Sequence, residues 1–312
     1  MAETNKVAYV FPGQGSQKVG MGKDLFGSSE VARNIFLVAD KVLGFPLSKL
    51  CFEGPEEELR LTKNAQPALL TMSIAAYQAA IQVNEHAKIT TPTFVAGHSL
   101  GEYSALVLAG VLDFSSAVYL ASERGRLMFD AGQKVPGSMA AIIGLDEAVV
   151  QSLCQESGTW LANINCPGQL VISGERASIE KAIDLAKAKG AARAIPLQVS
   201  GAFHSPLMQP AVEGLSNAMA KLNFKDAAIP VIGNVSALPL VSSRDIKDEL
   251  LQQLCNSVQW QRSVEYMVKN GTSVIVEIGA GNVLAGLVKR IDKTVRSVNI
   301  GNMAELGNII TG

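Results

Sequence analysis

The residues best suited to chemistry stand at positions 97–101, where the sequence GHSLG places a serine between two glycines. An apolar run at 94–96 precedes them, and a helical stretch at 102–109 follows. A strand, a Gly-x-Ser-x-Gly turn and a helix together form the context of a nucleophile elbow, in which a sharp turn exposes the serine hydroxyl. We therefore predict that Ser99 is a nucleophile. The alternative is a chance match in an ordinary turn.

A nucleophilic serine needs hydrogen-bond donors for the oxyanion that forms when it attacks a carbonyl. The backbone N–H of Leu100 would lie at the start of the helix, where N–H groups are unpaired and the dipole favours negative charge. A second glycine-rich loop, 12–17, follows a predicted strand at 7–11 but lacks the pattern of phosphate-binding loops. Gln14 in this loop is a candidate for the second donor, and an ordinary tight turn is the alternative.

A serine hydroxyl also needs a base, and the chain has three histidines. The side chain of His98, inside the elbow, should point away from that of Ser99, and His86 lies in a polar connection that is expected at the surface. His204 follows a strand and precedes a helix that begins near 205–206, where the dipole disfavours the charged imidazolium. By elimination we predict His204 as the base. A histidine that only caps this helix is the alternative.

The order of these residues excludes the usual α/β-hydrolase arrangement, in which the serine, an acid and a histidine near the C-terminus follow one another. A long segment still follows His204, and none of Asp130, Asp146 and Asp184 comes directly after a predicted strand. We therefore expect a group other than a carboxylate to orient the histidine.

Composition excludes several classes of protein. The chain is 48% hydrophobic, and 27 Lys+Arg against 28 Asp+Glu give a net charge of −1, so nothing favours binding to nucleic acid or to an anionic membrane. The four cysteines are scattered without metal-ligand spacing, so we expect no metal and a reducing, cytoplasmic location. The most apolar stretch, 67–83, is shorter than the about 20 residues that a membrane span needs, and we find no targeting segment.

The pattern of buried strands and helices predicts an α/β fold with an insertion. The inserted segment is predicted to contain strand 139–143, helix 146–156, strands 160–164 and 169–173, helix 176–189 and strand 192–197. This βαββαβ order is typical of a ferredoxin-like unit. We predict a hydrolase-like core with a mainly parallel sheet (residues 1–130 and 197–312), which includes buried strands at 230–235 and 274–278, and a ferredoxin-like α+β subdomain (residues 131–196).

Two helices of the core carry further candidates. The apolar helix is predicted to begin at Gln66 and Pro67, and a later helix is predicted over 115–128. A glycine inside a helix costs about 1 kcal/mol relative to alanine, so Gly125 indicates close packing or a ligand. Spacing alone favours a solvated position for Arg124 beside it.

Four segments together resemble the malonyl-CoA:acyl carrier protein transacylases, which are related to the acyltransferase domains of polyketide synthases. They are FPGQGSQ at 11–17, GHSLGE at 97–102, GAFH at 201–204 and EIG at 277–279, and the resemblance covers essentially the whole chain. It implies that a cytoplasmic enzyme of fatty acid synthesis moves a malonyl group from malonyl-CoA to the phosphopantetheine thiol of acyl carrier protein through a malonyl-serine ester. No cofactor is implied, and we expect a monomer.

The resemblance also implies roles for individual residues. Ser99 is the nucleophile and His204 the base, and the backbone carbonyl of Gln253 orients the histidine, which would account for the missing acid. The N–H groups of Gln14 and Leu100 form the oxyanion hole.

The same resemblance gives Arg124 the task of pairing with the free carboxylate of malonate, which reverses the expectation from spacing. A planar guanidinium suits this task because it binds a carboxylate through two hydrogen bonds. The pocket is expected to include Gln66, Asn165, Phe203 and Met128, and the bulk of Phe203 disfavours an α-methyl branch.

The sequence departs from the family pattern at three places. It has GAGN at 279–282 for GPGK, GNV at 233–235 for NNV or SNV, and cysteine for serine at 166. The absent lysine at 282 leaves the contacts with coenzyme A and carrier protein open. Three other functions also stay open: a serine hydrolase, a docking module without catalysis, and transfer of another acyl group or service in a polyketide pathway.

Overall fold

The computed structural model describes residues 6–86 and 89–309. Its strands are β1 (Lys6–Phe11), β2 (Phe94–Gly97), β3 (Gly137–Ile143), β4 (Trp160–Cys166), β5 (Gln169–Glu175), β6 (Arg193–Pro196), β7 (Val231–Ile232), β8 (Pro239–Leu240), β9 (Thr272–Ile278) and β10 (Arg296–Ile300). Its α-helices are α1 (Lys23–Ser28), α2 (Glu30–Leu43), α3 (Leu47–Glu53), α4 (Glu56–Arg60), α5 (Thr62–Val83), α6 (Gly101–Leu108), α7 (Phe114–Lys134), α8 (Glu147–Ser157), α9 (Arg176–Ala188), α10 (Gln209–Met219), α11 (Ser243–Gln253), α12 (Trp260–Lys269) and α13 (Val283–Ile291). Short 3₁₀ helices cover Pro206–Met208 and Met303–Asn308.

The larger sheet has six strands in the order β10-β9-β1-β2-β7-β8. Its first five strands pair in parallel, and β8 at the edge is antiparallel to β7. A parallel sheet must be covered on both faces, and β1 shows how the sequence does this. Tyr9 and Phe11 join the apolar cluster that contains α5 and α7, whereas Ala8 and Val10 join the cluster formed with α12 and α13. The carboxyl ends of β1 and β2 therefore lie side by side within a rigid core.

The smaller sheet has four antiparallel strands in the order β4-β5-β3-β6, and α8 and α9 pack on it around a separate apolar cluster. This order is the one that a ferredoxin-like unit produces, with its first and third strands paired at the centre. The predicted fold class, a mainly parallel α/β core with an inserted antiparallel unit, is confirmed. The division of the chain after residues 130 and 196 stays a prediction.

The apolar helix begins earlier than predicted. Helix α5 starts at Thr62, so Gln66 and Pro67 lie inside its first turns rather than at its start. The backbone at Thr62 is held against α7, where a Cβ added to Gly125 would lie 2.6 Å from the Thr62 carbonyl oxygen. Gly125 thus serves close helix packing, one of its two predicted explanations.

Two other bounds differ from the prediction. Helix α7 continues to Lys134, past the predicted end at 128, and β7 has only two residues of the predicted 230–235. After β7 the chain turns away from the sheet, and the Glu249 carboxylate accepts the backbone N–H of Val235 at 2.5 Å. Residues 233–235 therefore lie outside the sheet, where they can contact the elbow.

Candidate active site

The turn between β2 and α6 has no room for side chains at its two glycines. A Cβ added to Gly97 would lie 1.9 Å from the carbonyl carbon of Gly101, and one added to Gly101 would lie 2.0 Å from the carbonyl oxygen of Phe11. Ser99 between them has a φ of 52°, in the left-handed region that costs a non-glycine residue energy. This geometry is that of a nucleophile elbow, and it points the serine into a cavity.

The hydrogen bonds at Ser99 fix the proton positions of the predicted base. The Ser99 Oγ atom is 2.8 Å from His204 Nε2, and His204 Nδ1 is 2.7 Å from the backbone carbonyl oxygen of Gln253. Because a carbonyl can only accept, Nδ1 carries the proton and Nε2 is free to accept the hydroxyl proton of Ser99. The carbonyl thus stands where a carboxylate orients the histidine in many serine enzymes.

His204 is buried, and burial lowers the pKa of its imidazole to about 3, with the positive charge of Arg124 contributing in the same direction. The neutral imidazole predicted from the sequence is therefore supported, but for a different reason. The predicted cause was a helix N-terminus, whereas the chain after His204 forms only the short 3₁₀ turn before α10 begins at Gln209. Desolvation of the ring is the larger effect.

Arg124 is buried inside the molecule, with 1% of its surface exposed. Its Nη2 atom donates to Ser99 Oγ at 3.1 Å and to Gln253 Oε1 at 2.7 Å, and Nη1 donates to Gln66 Oε1 at 2.7 Å. Arg126, on the exposed face of the same helix, pairs instead with acidic neighbours on α7. The solvated position that spacing alone favoured for Arg124 is wrong, and its pairing with the carboxylate of malonate stays a prediction.

A chain of amides and a hydroxyl holds this guanidinium from the other side. The Nε2 atom of Gln66 donates to Thr62 Oγ1 at 3.0 Å and lies 3.4 Å from Met128 Sδ. Thr62 in turn donates to Gln14 Oε1 at 2.7 Å. The loop after β1 is thereby tied to Arg124 through the first turns of α5.

The predicted residues surround a single cavity of about 410 Å³. It is lined by Gln14, Gly15, Gln17, Glu56, Arg60, Gln66, His98, Ser99, Leu100, Arg124, Met128, Met139, Asn163, Leu197, Gln198, Val199, Phe203 and His204. The lining comes from the core and from β3 and β4 of the smaller sheet, so the cavity lies between the two. Eight of the ten predicted site residues line it directly; Gln253 and Asn165 do not.

Asn165 takes a different position from the one predicted. Its Oδ1 atom is 2.8 Å from His98 Nε2, and the His98 ring lies with its centroid 5.8 Å from that of Trp260. Asn165 therefore fixes the imidazole beside the elbow rather than facing the cavity. The remaining histidine, His86, is exposed as expected, with 95% of its side chain accessible.

Sequence reasoning missed the role of Asn234 at the elbow. Its Oδ1 atom accepts the backbone N–H of Ser99 at 2.6 Å, and its Nδ2 atom donates to the carbonyl oxygen of Gly97 at 2.7 Å. The side chain thus braces both sides of the strained turn. The motif GNV at 233–235 was the available signal, but its contact with residues far away in the chain could not be inferred from it.

The side chain of Gln253 was missed as well, since only its backbone carbonyl was predicted to act. Its Nε2 atom donates to the carbonyl oxygen of Ser99 at 3.0 Å and to Glu102 Oε2 at 2.5 Å, while its Oε1 atom accepts from Arg124. Gln253 therefore contacts the backbone of Ser99, the His204 ring and the Arg124 guanidinium.

The part of the chain that the structure describes contains no group of three or more His, Cys, Asp or Glu residues that could hold a metal ion. Among residues 6–86 and 89–309, no helix combines the length and apolar character needed to cross a bilayer. All four cysteines lie in these ranges as free thiols.

The elbow, the paired histidine and the α/β core with its inserted unit form the arrangement that a serine-dependent acyl-transferring protein would need. Residues 8–310 match the model of the acyl transferase domain, and the chain belongs to this family. It is 47% identical over 303 residues to the malonyl CoA-acyl carrier protein transacylase of Bacillus subtilis, covering 96% of this chain and 94% of the relative.

Solved structures agree with this assignment. An acyl carrier protein S-malonyltransferase from Vibrio cholerae superposes with a TM-score of 0.92 at 42% identity, covering 98% of this chain and all of that one. A malonyl-transacylase in complex with its type II PKS acyl-carrier protein superposes with a TM-score of 0.93, also at 42% identity. The superposition covers 97% of this chain and 98% of that one. These relatives fit the family resemblance found in the sequence.

Proposed function

We propose that this chain is an acyltransferase that moves the malonyl group of malonyl-CoA to the phosphopantetheine thiol of acyl carrier protein, through a malonyl ester on Ser99. The observation that carries the choice of substrate is Arg124, a buried cation whose Nη2 atom lies 3.1 Å from the nucleophilic oxygen. An acyl group bound to Ser99 and ending in a carboxylate would meet a guanidinium within the same cavity. The relatives bear names that specify this reaction.

In the first half of the reaction, Ser99 Oγ attacks the thioester carbon while its proton passes to His204 Nε2. The oxyanion is stabilised by the backbone N–H groups of Gln14 and Leu100, both of which line the cavity with the serine. The C–S bond then breaks, and His204 returns the proton to the sulfur of coenzyme A. The product is a malonyl ester on Ser99.

In the second half, the thiol of the phosphopantetheine arm gives its proton to His204 Nε2 and its sulfur attacks the ester carbon. The C–Oγ bond breaks and the proton returns to Ser99, which restores the free enzyme. The carbonyl of Gln253 keeps the imidazole in the tautomer that both halves require. Neither half uses a cofactor or a metal.

Two apolar side chains shape the acyl pocket in this proposal. Phe203 and Met128 line the cavity and are 5% and 2% exposed, so they have little freedom to move aside. A branch at the α-carbon of malonate would press against Phe203, as the resemblance implies. For cell location we propose the cytoplasm, and for the pathway fatty acid synthesis; the four free thiols support the former because reducing compartments preserve them.

The pH dependence of ester formation follows from the depressed pKa of His204. Only the neutral imidazole accepts a proton, and a pKa of about 3 keeps it neutral from pH 5 to pH 8. We expect kcat/KM for ester formation from malonyl-CoA, which reports the pKa of the free enzyme, to be flat across this range. An unperturbed histidine, with a pKa of about 6.5, would lower the rate roughly thirtyfold between pH 8 and pH 5. Rapid-quench mass spectrometry measures the rate of ester formation at each pH. A fall in this rate toward low pH, centred near about pH 6.5, would contradict the buried neutral base.

The substrate proposal is tested by replacing Arg124. Removing a buried cation that pairs with a carboxylate costs about 3–5 kcal/mol, so Arg124→Ala should lower kcat/KM for malonyl-CoA by roughly two to nearly four orders of magnitude. The measurement is the rate of adduct formation with malonyl-CoA and with acetyl-CoA, which lacks the carboxylate. We expect the rate with acetyl-CoA to change less than tenfold.

Arg126→Ala provides the matched control, because it removes an exposed arginine from the same helix. That variant should load malonyl groups like the wild type. Equal losses with both thioesters in Arg124→Ala would show that the arginine supports the site without selecting the acid. Steady release of malonate by the wild type without carrier protein would favour a hydrolase instead.

A further inference from the structure

Glu102 is a buried carboxyl group that the reaction steps above do not use. It is the second residue of α6, directly after the elbow, and has no exposed surface. Its Oε2 atom accepts from Gln253 Nε2 at 2.5 Å, and its Oε1 atom has no hydrogen-bond partner in the described part of the chain. Burying a carboxyl group with an unpaired oxygen costs free energy of folding. Its presence here therefore indicates a role in the structure around it.

The contact with Glu102 determines which way the Gln253 amide faces. Its nitrogen lies between two acceptors, the Glu102 carboxyl oxygen and the carbonyl oxygen of Ser99. The amide oxygen must then point to the opposite side, where it accepts from Arg124 Nη2 at 2.7 Å. Reversing the amide would bring N–H groups against the guanidinium donors. Glu102 is thus connected to the cation by a single, oriented amide.

The same arrangement leaves Arg124 without an ionised partner. Its hydrogen bonds in the described residues go to uncharged oxygens of Gln66, Ser99 and Gln253, and none of the ion pairs in this part of the protein includes it. Burial, followed by the neighbouring Glu249 carboxylate, raises the pKa of Glu102 well above its usual range, which favours the neutral acid. The amide of Gln253 also separates this acid from the guanidinium.

We propose that Glu102 is a positioning residue: through the Gln253 amide it holds the Arg124 guanidinium beside Ser99 and leaves that charge unpaired for the carboxylate of the acyl group. The inference rests on the proposed function, because it assigns to Glu102 the selection of an acidic acyl chain at the same site. A buried guanidinium with only neutral partners is strongly attracted to an incoming carboxylate. An ionised glutamate in direct contact would compete with that carboxylate.

The test compares two reactions of Ser99 that differ in their need for Arg124. Malonyl-CoA brings a carboxylate, whereas a neutral fluorophosphonate labels the serine and requires only the nucleophile and its base. Glu102→Met removes the acceptor at similar volume, and Glu102→Gln keeps an oxygen that can accept from Gln253. Glu277→Met is the matched control, because Glu277 is equally buried but accepts from the backbone of α13 and from Asn299.

For Glu102→Met we expect KM for malonyl-CoA to rise roughly ten- to hundredfold, as the loss of a supporting bond near a charged group predicts, with fluorophosphonate labelling within about threefold of wild type. Glu102→Gln should restore malonyl loading to within about threefold. If Glu102→Met does not fold, Glu102→Asp gives the same readout, since the shorter side chain withdraws the carboxyl oxygen from the Gln253 amide.

Equal losses in malonyl loading and fluorophosphonate labelling would overturn the positioning role, because Glu102 would then support the serine rather than the cation. A loss in Glu102→Gln as large as in Glu102→Met would overturn it too. These results differ from a failure of the proposed function, in which wild-type protein itself forms no malonyl ester.

Discussion

Ser99→Ala is expected to form no malonyl adduct, with the rate of loading lowered by at least about 10⁴-fold. The reason is that in the proposed reaction the Ser99 oxygen forms the ester, and this atom contacts both His204 Nε2 and Arg124 Nη2. Alanine keeps a non-glycine residue at the left-handed position, so the backbone strain of the turn is unchanged. Intact-protein mass spectrometry after incubation with malonyl-CoA measures the result.

Ser104→Ala is the control for this substitution. Ser104 is buried in α6, and its hydroxyl has no hydrogen-bond partner among the residues described. Its replacement should leave malonyl loading within about twofold, because neither a hydrogen bond nor a reacting group is lost. A malonyl adduct on the Ser99→Ala protein would assign the ester to another residue and refute the proposed nucleophile.

His204→Asn is expected to lower malonyl loading by a similar factor, about 10⁴ or more, because the proton of Ser99 then has no acceptor. Asparagine suits this test since His204 has a φ of 57°, and asparagine tolerates the left-handed region better than most residues. Fluorophosphonate labelling should fall together with malonyl loading. In Arg124→Ala, by contrast, labelling should persist.

The exposed His86 supplies the control, and His86→Asn should retain full activity. Thermal unfolding of both variants shows whether the fold survives. A His204→Asn protein that folds normally and still loads malonyl groups within tenfold of wild type would show that His204 is a structural residue and not the base.

Local sequence was sufficient for those parts of the site that depend on local geometry. The elbow at 97–101 requires small residues because its two glycines leave no space for a Cβ, and this requirement is visible in the pentapeptide itself. The ferredoxin-like unit followed from the alternation of buried strands and helices, which is also a local pattern. The absence of a suitable acid after a strand correctly directed attention to another group for orienting His204.

The pattern of residues could not predict contacts between distant parts of the chain. Arg124 and Arg126 lie two residues apart, or roughly 200° around a helix, so one must face inward and the other outward. The helix pattern does not say which, and only the packing of α7 against α5 decides it. Family resemblance implied a position for Arg124 inside the site, but it did not reveal that Asn234 and the Gln253 side chain contact the elbow from distant parts of the chain.

The start of α5 was also predicted wrongly, because it depends on a contact with another helix. A proline usually marks the first turn of a helix, which favoured a start at 66–67. Close packing of Gly125 on the backbone of Thr62 stabilises an earlier turn that propensity alone would not predict. This shift places Gln66 inside the helix, where it can accept from Arg124.

Transfer from an isolated acyl-enzyme is the sharpest test of the proposed malonyl-serine ester. The protein is first incubated with malonyl-CoA and separated from coenzyme A and unreacted thioester by gel filtration. It is then mixed with phosphopantetheinylated acyl carrier protein, and the masses of both proteins are measured by mass spectrometry. We expect the malonyl mass to leave Ser99 and to appear on the carrier protein in equal amount, with no thioester substrate present. Release of free malonate, or malonylation of the carrier protein only when malonyl-CoA is also present, would contradict transfer through a malonyl-serine ester.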